Sequence, residues 1–191
     1  MAVRTQQGLY DPQDERDACG FGMVAQLDDQ PSRLLVDTAI AALSRMTHRG
    51  GVAADGLTGD GCGLLLRKPT VFLRQLAEEA GIALGPNFAA GVVFLPHDAA
   101  AAQRCREELD NQLRKAGCHP RGWREVPTDD SVCGQLARDT LPKIEQVFVD
   151  ADIEQSAEQF ALALFMARRR SEQTLRDVAD YYVTTLSAEA I

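Results

Sequence analysis

The stretch Cys19-Gly20-Phe21-Gly22-Met23-Val24-Ala25-Gln26-Leu27 is where the chain changes character. Residues 1–18 before it are polar, turn-rich and without periodicity, whereas these nine combine apolar side chains with two glycines, as the first strand of a buried sheet does. A boundary is therefore placed at Cys19. If the chain is cut there, one residue carries both a thiol and a free α-amine. An α-amine of reference pKa about 7.7–8.0 can take the proton of a thiol whose own pKa is about 8.5, so Cys19 would supply nucleophile and base together. A lone cysteine at a strand start is more often a small buried hydrophobe, and the residues around it have to decide.

Working outward, Ser32 is placed to cap a helix whose apolar positions Val36, Ala39, Ile40, Leu43 and Met46 follow the 3.6-residue period, with Gly50-Gly51 as its stop. Residues 50–63 are rich in Gly and Asp, which suits a sharply turning loop, and residues 63–66 read as a short strand. Three more helices are expected: 71–80 ending at Gly81, 99–116 capped by Asp98 and ended by Gly117, and 157–170 with Ser156 and Gln159 as a capping box. Strands are expected over 88–95, 122–126, 144–149 and 181–186, where β-branched and aromatic residues gather. The sum is an α+β or layered α/β chain without internal repeats. The last strand leads almost directly into Ser187-Ala188-Glu189-Ala190-Ile191, which reads as interrupted.

A chain of 191 residues with 45% apolar content can bury a sizeable core. Its formal charge of −8, with basic residues scattered, argues against nucleic acid as the main partner. No run of residues is apolar enough for a membrane span, and Asp11, Asp14, Glu15 and Asp17 stand where a signal peptide would be apolar, so a soluble cytoplasmic protein is expected. The five cysteines form no Cys-x-x-Cys pair, and neither a disulfide framework nor a zinc site is expected. Cys62, Cys105, Cys118 and Cys133 read as packing residues, with Cys105 on the apolar face of its helix, and His97 and His119 as loop residues. Arg168-Arg169-Arg170 reads as solvated charge at a helix end. The glycine- and aspartate-rich loop lacks both the EF-hand ligand spacing and a Gly-Lys-Ser/Thr phosphate cradle.

Several motifs nevertheless stand together in order: Gly8-Leu9-Tyr10-Asp11, Glu15-Arg16-Asp17-Ala18-Cys19-Gly20-Phe21-Gly22, His48-Arg49-Gly50-Gly51, Ala54-Asp55-Gly56 and Thr58-Gly59-Asp60-Gly61-Cys62-Gly63. Gly122-Trp123-Arg124-Glu125-Val126-Pro127, the stretch 141–149 and Ala167-Arg168-Arg169-Arg170 continue the series. In these the chain closely resembles the start of bacterial glutamate synthase large chains of the NADPH type, whose first domain is a class II glutamine amidotransferase. The resemblance implies the four-layer αββα sandwich of N-terminal-nucleophile hydrolases, incomplete at the C-terminus here. It implies that residues 1–18 are a propeptide and that residues 19–191 are the front portion of the amidotransferase domain. Cys19 would then attack the side-chain amide of L-glutamine, giving a thioester and ammonia, with water releasing glutamate. Arg49 and Gly50 take supporting roles by resemblance, the glycine carbonyl holding the terminal amine. Without the family, His48 and Arg49 are cations near a helix C-terminus, favoured there by about 0.3–1 kcal/mol.

The resemblance also implies what these residues do not carry. The family's oxyanion-hole Asn-Gly pair and its glutamine-binding arginine and aspartate lie downstream, and the sequence contains no Asn-Gly dipeptide. One missing oxyanion donor costs about 2.7–4 kcal/mol of transition-state stabilisation. FMN and an iron–sulfur cluster belong to the family's synthase part, so no cofactor is expected in this chain. Expected partners are L-glutamine, the remainder of the large chain and the small subunit, with neither nucleic acid nor membrane. A second reading is a non-catalytic binding or regulatory module that pairs with a complementary chain through its last strand. A third is an amidotransferase serving a sugar phosphate or nucleotide precursor, but such chains start at or near the catalytic cysteine, and residues 1–18 favour glutamate synthase.

Overall fold

The computed structural model describes residues 20–28, 30–46, 51–59 and 61–191. The chain divides into two compact units, Met1–Leu64 and Leu65–Ile191.

The second unit is organised by Phe88-Ala89-Ala90-Gly91-Val92-Val93-Phe94-Leu95, an almost continuous apolar run that forms strand β1, Phe88–Leu95. Such a run suits an interior strand, whose two faces are both covered for much of its length. It lies inside a four-stranded antiparallel sheet of order β2-β3-β1-β4, with β2 His119–Glu125, β3 Lys143–Asp150 and β4 Tyr182–Ser187. The fold is α+β. The register pairs Ala89 with Val149, Gly91 with Val147 and Val93 with Glu145, which sends these residues to one face of the sheet. Two helices cover that face, α3 (Ala99–Lys115) and α5 (Ala157–Thr174).

The core follows from that alternation. Ala89, Val93, Leu95, Val147, Val149 and Val183 meet Cys105, Leu109 and Leu113 of α3 and Phe160, Leu164 and Ala167 of α5, all buried. Each large side chain removed from water contributes about 1.5–3 kcal/mol. Polar groups at the margin are paired across the same interface: Trp123 Nε1 donates to Asp110 Oδ1 at 3.0 Å, and Arg106 bonds Glu145 at 2.9 Å. The helix ends are closed by their own sequence. Asp98 accepts from the Ala101 N–H at 2.8 Å, and Ser156 and Gln159 form a reciprocal capping box. Gly117 ends α3 at φ +77°, in the left-handed region that disfavours a side chain.

Gly91 is required by closeness rather than by φ. A Cβ there would stand 2.7 Å from the Thr185 carbonyl oxygen and 2.9 Å from Leu186 Cδ1. The register of β1 against β4 shifts between Val92 and Val93, beside this approach.

On the opposite face, helix α2 (Thr70–Glu79) places Leu73 and Ala77 with Ile82 against Phe88, Ala90 and Phe148. Further along, Val92, Phe94 and Ile144 remain half-buried and Tyr182 is exposed. A backbone strap closes the unit: the Leu66 N–H donates to the Ile191 carbonyl at 2.7 Å, Ile191 donates back at 2.9 Å, and Lys68 donates to the Glu189 carbonyl at 2.6 Å.

In the first unit, helix α1 spans Arg33–Ser44 and buries none of its residues. Ser32 has the extended backbone of an N-cap but makes no side-chain capping bond. The remaining short helix, α4, is Gln135–Asp139 in the second unit, a single turn that the periodicity did not mark.

Several expectations need correction. The strand expected over residues 19–27 is not formed among described residues 20–28, where Phe21 and Leu27 are fully exposed. A strand has no hydrogen bonds of its own and needs a partner ladder, and Gly20 and Gly22 lower its intrinsic preference further. The short strand expected at 63–66 is not formed; in its place an isolated antiparallel bridge between Arg67 and Ala190 ties Leu66 and Lys68 to the backbone of 189–191. Helix α1 stops at Ser44, with Met46 in the following turn, ahead of the glycine pair expected to stop it. His119 opens β2 and is not a loop residue. Arg168-Arg169-Arg170 lies within α5, which runs on to Thr174; there Arg168 and Arg169 pair with Glu172 at 2.9 and 3.0 Å. These i,i+4 and i,i+3 pairs support the extra turn.

Candidate functional site

Cys19, Arg49 and Gly50, the three residues singled out from the sequence, lie outside the described residues, as do residues 1–18 and His48. The backbone that follows each of them is described. Residues 20–26 run without regular structure. Residues 51–59, directly after Arg49-Gly50, form a compact turn closed by an antiparallel bridge between Val52 and Gly59. Its centre is Asp55, whose carboxylate accepts from the Leu57 N–H at 3.0 Å, the Thr58 N–H at 2.8 Å and the Thr58 hydroxyl. The Ala53 N–H donates to the Thr58 carbonyl at 2.8 Å, and Gly56 takes φ +70° at the tip. An aspartate that organises its own loop this way is an Asx-type turn, and the chain reverses immediately after the Arg49-Gly50 pair. The carboxylate holds its own loop together, which agrees with reading this segment as structural and not as a calcium or phosphate loop.

The other cysteines sort by environment. Cys105 and Cys118 are buried in the α3 layer, and burial raises both thiols, Cys118 to about 11. Thiols so placed carry almost no thiolate near neutral pH and are poor nucleophiles. Cys133 is half-buried. Cys62 is exposed in its glycine-flanked loop, so the packing reading fails for it. Among the described residues no group of three or more His, Cys, Asp or Glu side chains is placed to hold a metal ion. No helix among them is long and apolar enough to cross a membrane.

A family model described as glutamine amidotransferases class-II matches residues 19–191. The chain belongs to that family. The match begins at Cys19 and includes both the Asp55 turn and the whole sheet unit. The chain is similar over its full length to a glutamate synthase [NADPH] large chain of Azospirillum brasilense, 39% identical over 194 residues. It is also similar to ferredoxin-dependent glutamate synthase 1 of Arabidopsis thaliana, 37% identical over 196 residues, and to a glutamate synthase [NADPH] large chain of Bacillus subtilis, 30% identical over 188 residues. The chain is covered at 100%, 100% and 97% in these matches and spans 13%, 12% and 12% of the relatives. It thus corresponds to about an eighth of their length.

The sequence reading missed the cleft lined by Lys68, Asn87, Phe160 and Leu186 in the second unit. No linear signal marks it, since its residues come from four separated segments of the chain.

Proposed function

We propose that this amidotransferase chain supplies the nucleophile-bearing portion of a glutaminase that serves glutamate synthesis and ammonia assimilation. The observation that carries the proposal is that the family match starts at Cys19, the residue at which the polar leader ends. Removal of residues 1–18 frees the α-amine of Cys19, which takes the thiol proton. The thiolate adds to the side-chain amide carbon of L-glutamine. Collapse of the tetrahedral species breaks the C–N bond, the proton passes to the departing nitrogen, and ammonia leaves a γ-glutamyl thioester. Water, activated by the same amine, attacks the thioester, releases glutamate and restores the thiol. Arg49 and Gly50 support this centre, the Gly50 carbonyl holding the amine of Cys19, and the Asp55 turn fixes the backbone that follows them.

The architecture proposed is the four-layer αββα sandwich. Its support is the two-sided sheet of the second unit: α3 and α5 cover one face, while on the other Val92, Phe94 and Ile144 stay half-buried beyond α2, as a face that takes a second sheet would. In the proposed assembly the chain works with the remainder of a glutamate synthase large chain and its small subunit, in the cytoplasm. FMN and the iron–sulfur cluster belong to the synthase part of that assembly and enter no step described here. The reading as a non-catalytic module has no observation of its own in its favour.

The test is intact mass and N-terminal sequencing before and after exposure to 6-diazo-5-oxo-L-norleucine, a glutamine-like electrophile. A chain beginning at Cys19 with one adduct on that residue is the expected result, and Cys19→Ser should take no adduct. An uncut chain, or an adduct on Cys62 that persists in Cys19→Ser, would overturn the assignment.

A further inference from the structure

The second unit contains a cleft of about 340 Å³ that the glutaminase proposal does not use. That volume lies at the low end of small-molecule sites, which run from about 300 to 1,000 Å³. Its floor is Lys68. The ammonium donates to the Phe88 carbonyl at 2.7 Å and lies 4.3 Å from the centre of the Phe88 ring, which fixes its position. Among the described residues no carboxylate pairs with it, in a chain that carries eight more acidic than basic groups. Burial, followed by the neighbouring Arg74 charge, lowers its pKa, the signature of a cation short of compensation. An ammonium has three protons to donate, and one is engaged.

Two further residues with donors to spare, Ala157 and Asn87, line the same cleft. The first-turn N–H of Ala157 in α5 has no acceptor among the described residues, because the capping box satisfies Ser156 and Gln159 instead. Asn87 lines the cleft through at least part of its surface, and its side-chain amide bonds to no described residue, while its backbone carbonyl accepts from the Ala151 N–H. The remaining wall is apolar: Phe160, Leu164 and Leu186. A cation and neutral donors at one end with a hydrocarbon wall beyond them describe the complement of an amphiphilic anion. Lys68 is the one cation among the lining residues and Glu189 also stands there, so a single negative charge is matched better than two.

We propose that this cleft binds a small monocarboxylate with an apolar stem, its carboxylate on Lys68 and the Asn87 and Ala157 donors and its stem along Phe160, Leu164 and Leu186. The experiment follows the amide resonances of the ¹⁵N-labelled chain during titration with hexanoate, hexanol, hexylammonium and inorganic phosphate. Hexanoate should produce saturable shifts at Lys68, Asn87 and Ala157, and the other three should not. Lys68→Met should weaken hexanoate by about ten-fold, the effect of removing a charge-assisted contact. Ala161 is an exposed residue of the cleft wall, so Ala161→Trp should block binding without touching the core, and it carries the test if Lys68→Met fails to fold. Equal shifts from hexanol or hexylammonium would reduce the cleft to an apolar crevice and equal shifts from phosphate to a simple charge site. Either result, or the absence of saturable shifts with hexanoate, overturns the proposal.

Discussion

The two units use similar residues to different ends. Between Leu65 and Ile191, apolar side chains of the sheet and of the helices on its two faces are buried against one another: Phe148, Leu109 and Val93 are each 0% exposed. Among the described residues before Leu65, apolar side chains of the same kinds stay in contact with solvent: Phe21 is 96% exposed, Leu34 74% and Val52 63%. Composition therefore does not separate them. The second unit has long-range ladders that hold four strands in register, so the i,i+2 sets of side chains on the helix-covered face have a layer to meet. The first has an amphipathic helix and a self-contained turn, both local structures that form without burying an apolar face. The residues assigned to catalysis, Cys19, Arg49 and Gly50, belong by sequence to the locally organised unit, and the residues that make the core belong to the other.

That contrast can be broken by truncation. Phe148→Ala removes a fully buried ring that packs with Leu73, Phe88 and Ala90, and should cost about 3–5 kcal/mol in urea unfolding. Leu34→Ala in α1 should fall within about 0.5 kcal/mol. Comparable losses at the two positions would show that α1 is buried against a partner in solution and would erase the distinction. Next in size is Gly91→Ala. The added methyl meets the Thr185 carbonyl and the Leu186 side chain, and should destabilise by about 1–3 kcal/mol, read as a lower midpoint at unchanged slope. A neutral result would mean that β4 is held loosely against β1.

The smallest effect concerns Asp110. Burial raises its carboxyl above the usual range, while the Trp123 indole and Arg114 oppose the shift. A folded pKa raised above the unfolded value, ordinarily about 3.9, means the contribution is fully present below that value and is lost as pH rises through the folded pKa. Asp110→Asn should therefore flatten the pH dependence of stability in the window just above the ordinary carboxylate range. A steeper dependence in the variant would mean that the carboxylate is stabilised by its partners more than it is penalised by burial.

Much of the second unit was legible because its signals are local. Strand β1 and the starts of α3 and α5 announce themselves through an apolar run, a capping aspartate and a capping box, each satisfied within a few residues. The errors fall where the outcome depends on a distant partner. Residues 19–27 have the composition of a strand but no described ladder, and Leu66–Lys68 pairs two to three residues later than expected because residues 189–191 fix the register. The continuation of α5 past Arg170 depends on Glu172 accepting two arginines, a pairing that the run of like charges concealed.

By itself the sequence determined the four longer helices, the four strands of the sheet, the boundary at Cys19 as an expectation, and the family resemblance, since caps, periodicity and motif order are properties of neighbouring residues. Only the tertiary structure decided which face of each strand is covered, why position 91 must be glycine, and that Lys68, Asn87 and the first turn of α5 share one cleft. Those facts arise from residues tens of positions apart brought within a few ångströms, and no local pattern encodes the register that brings them together.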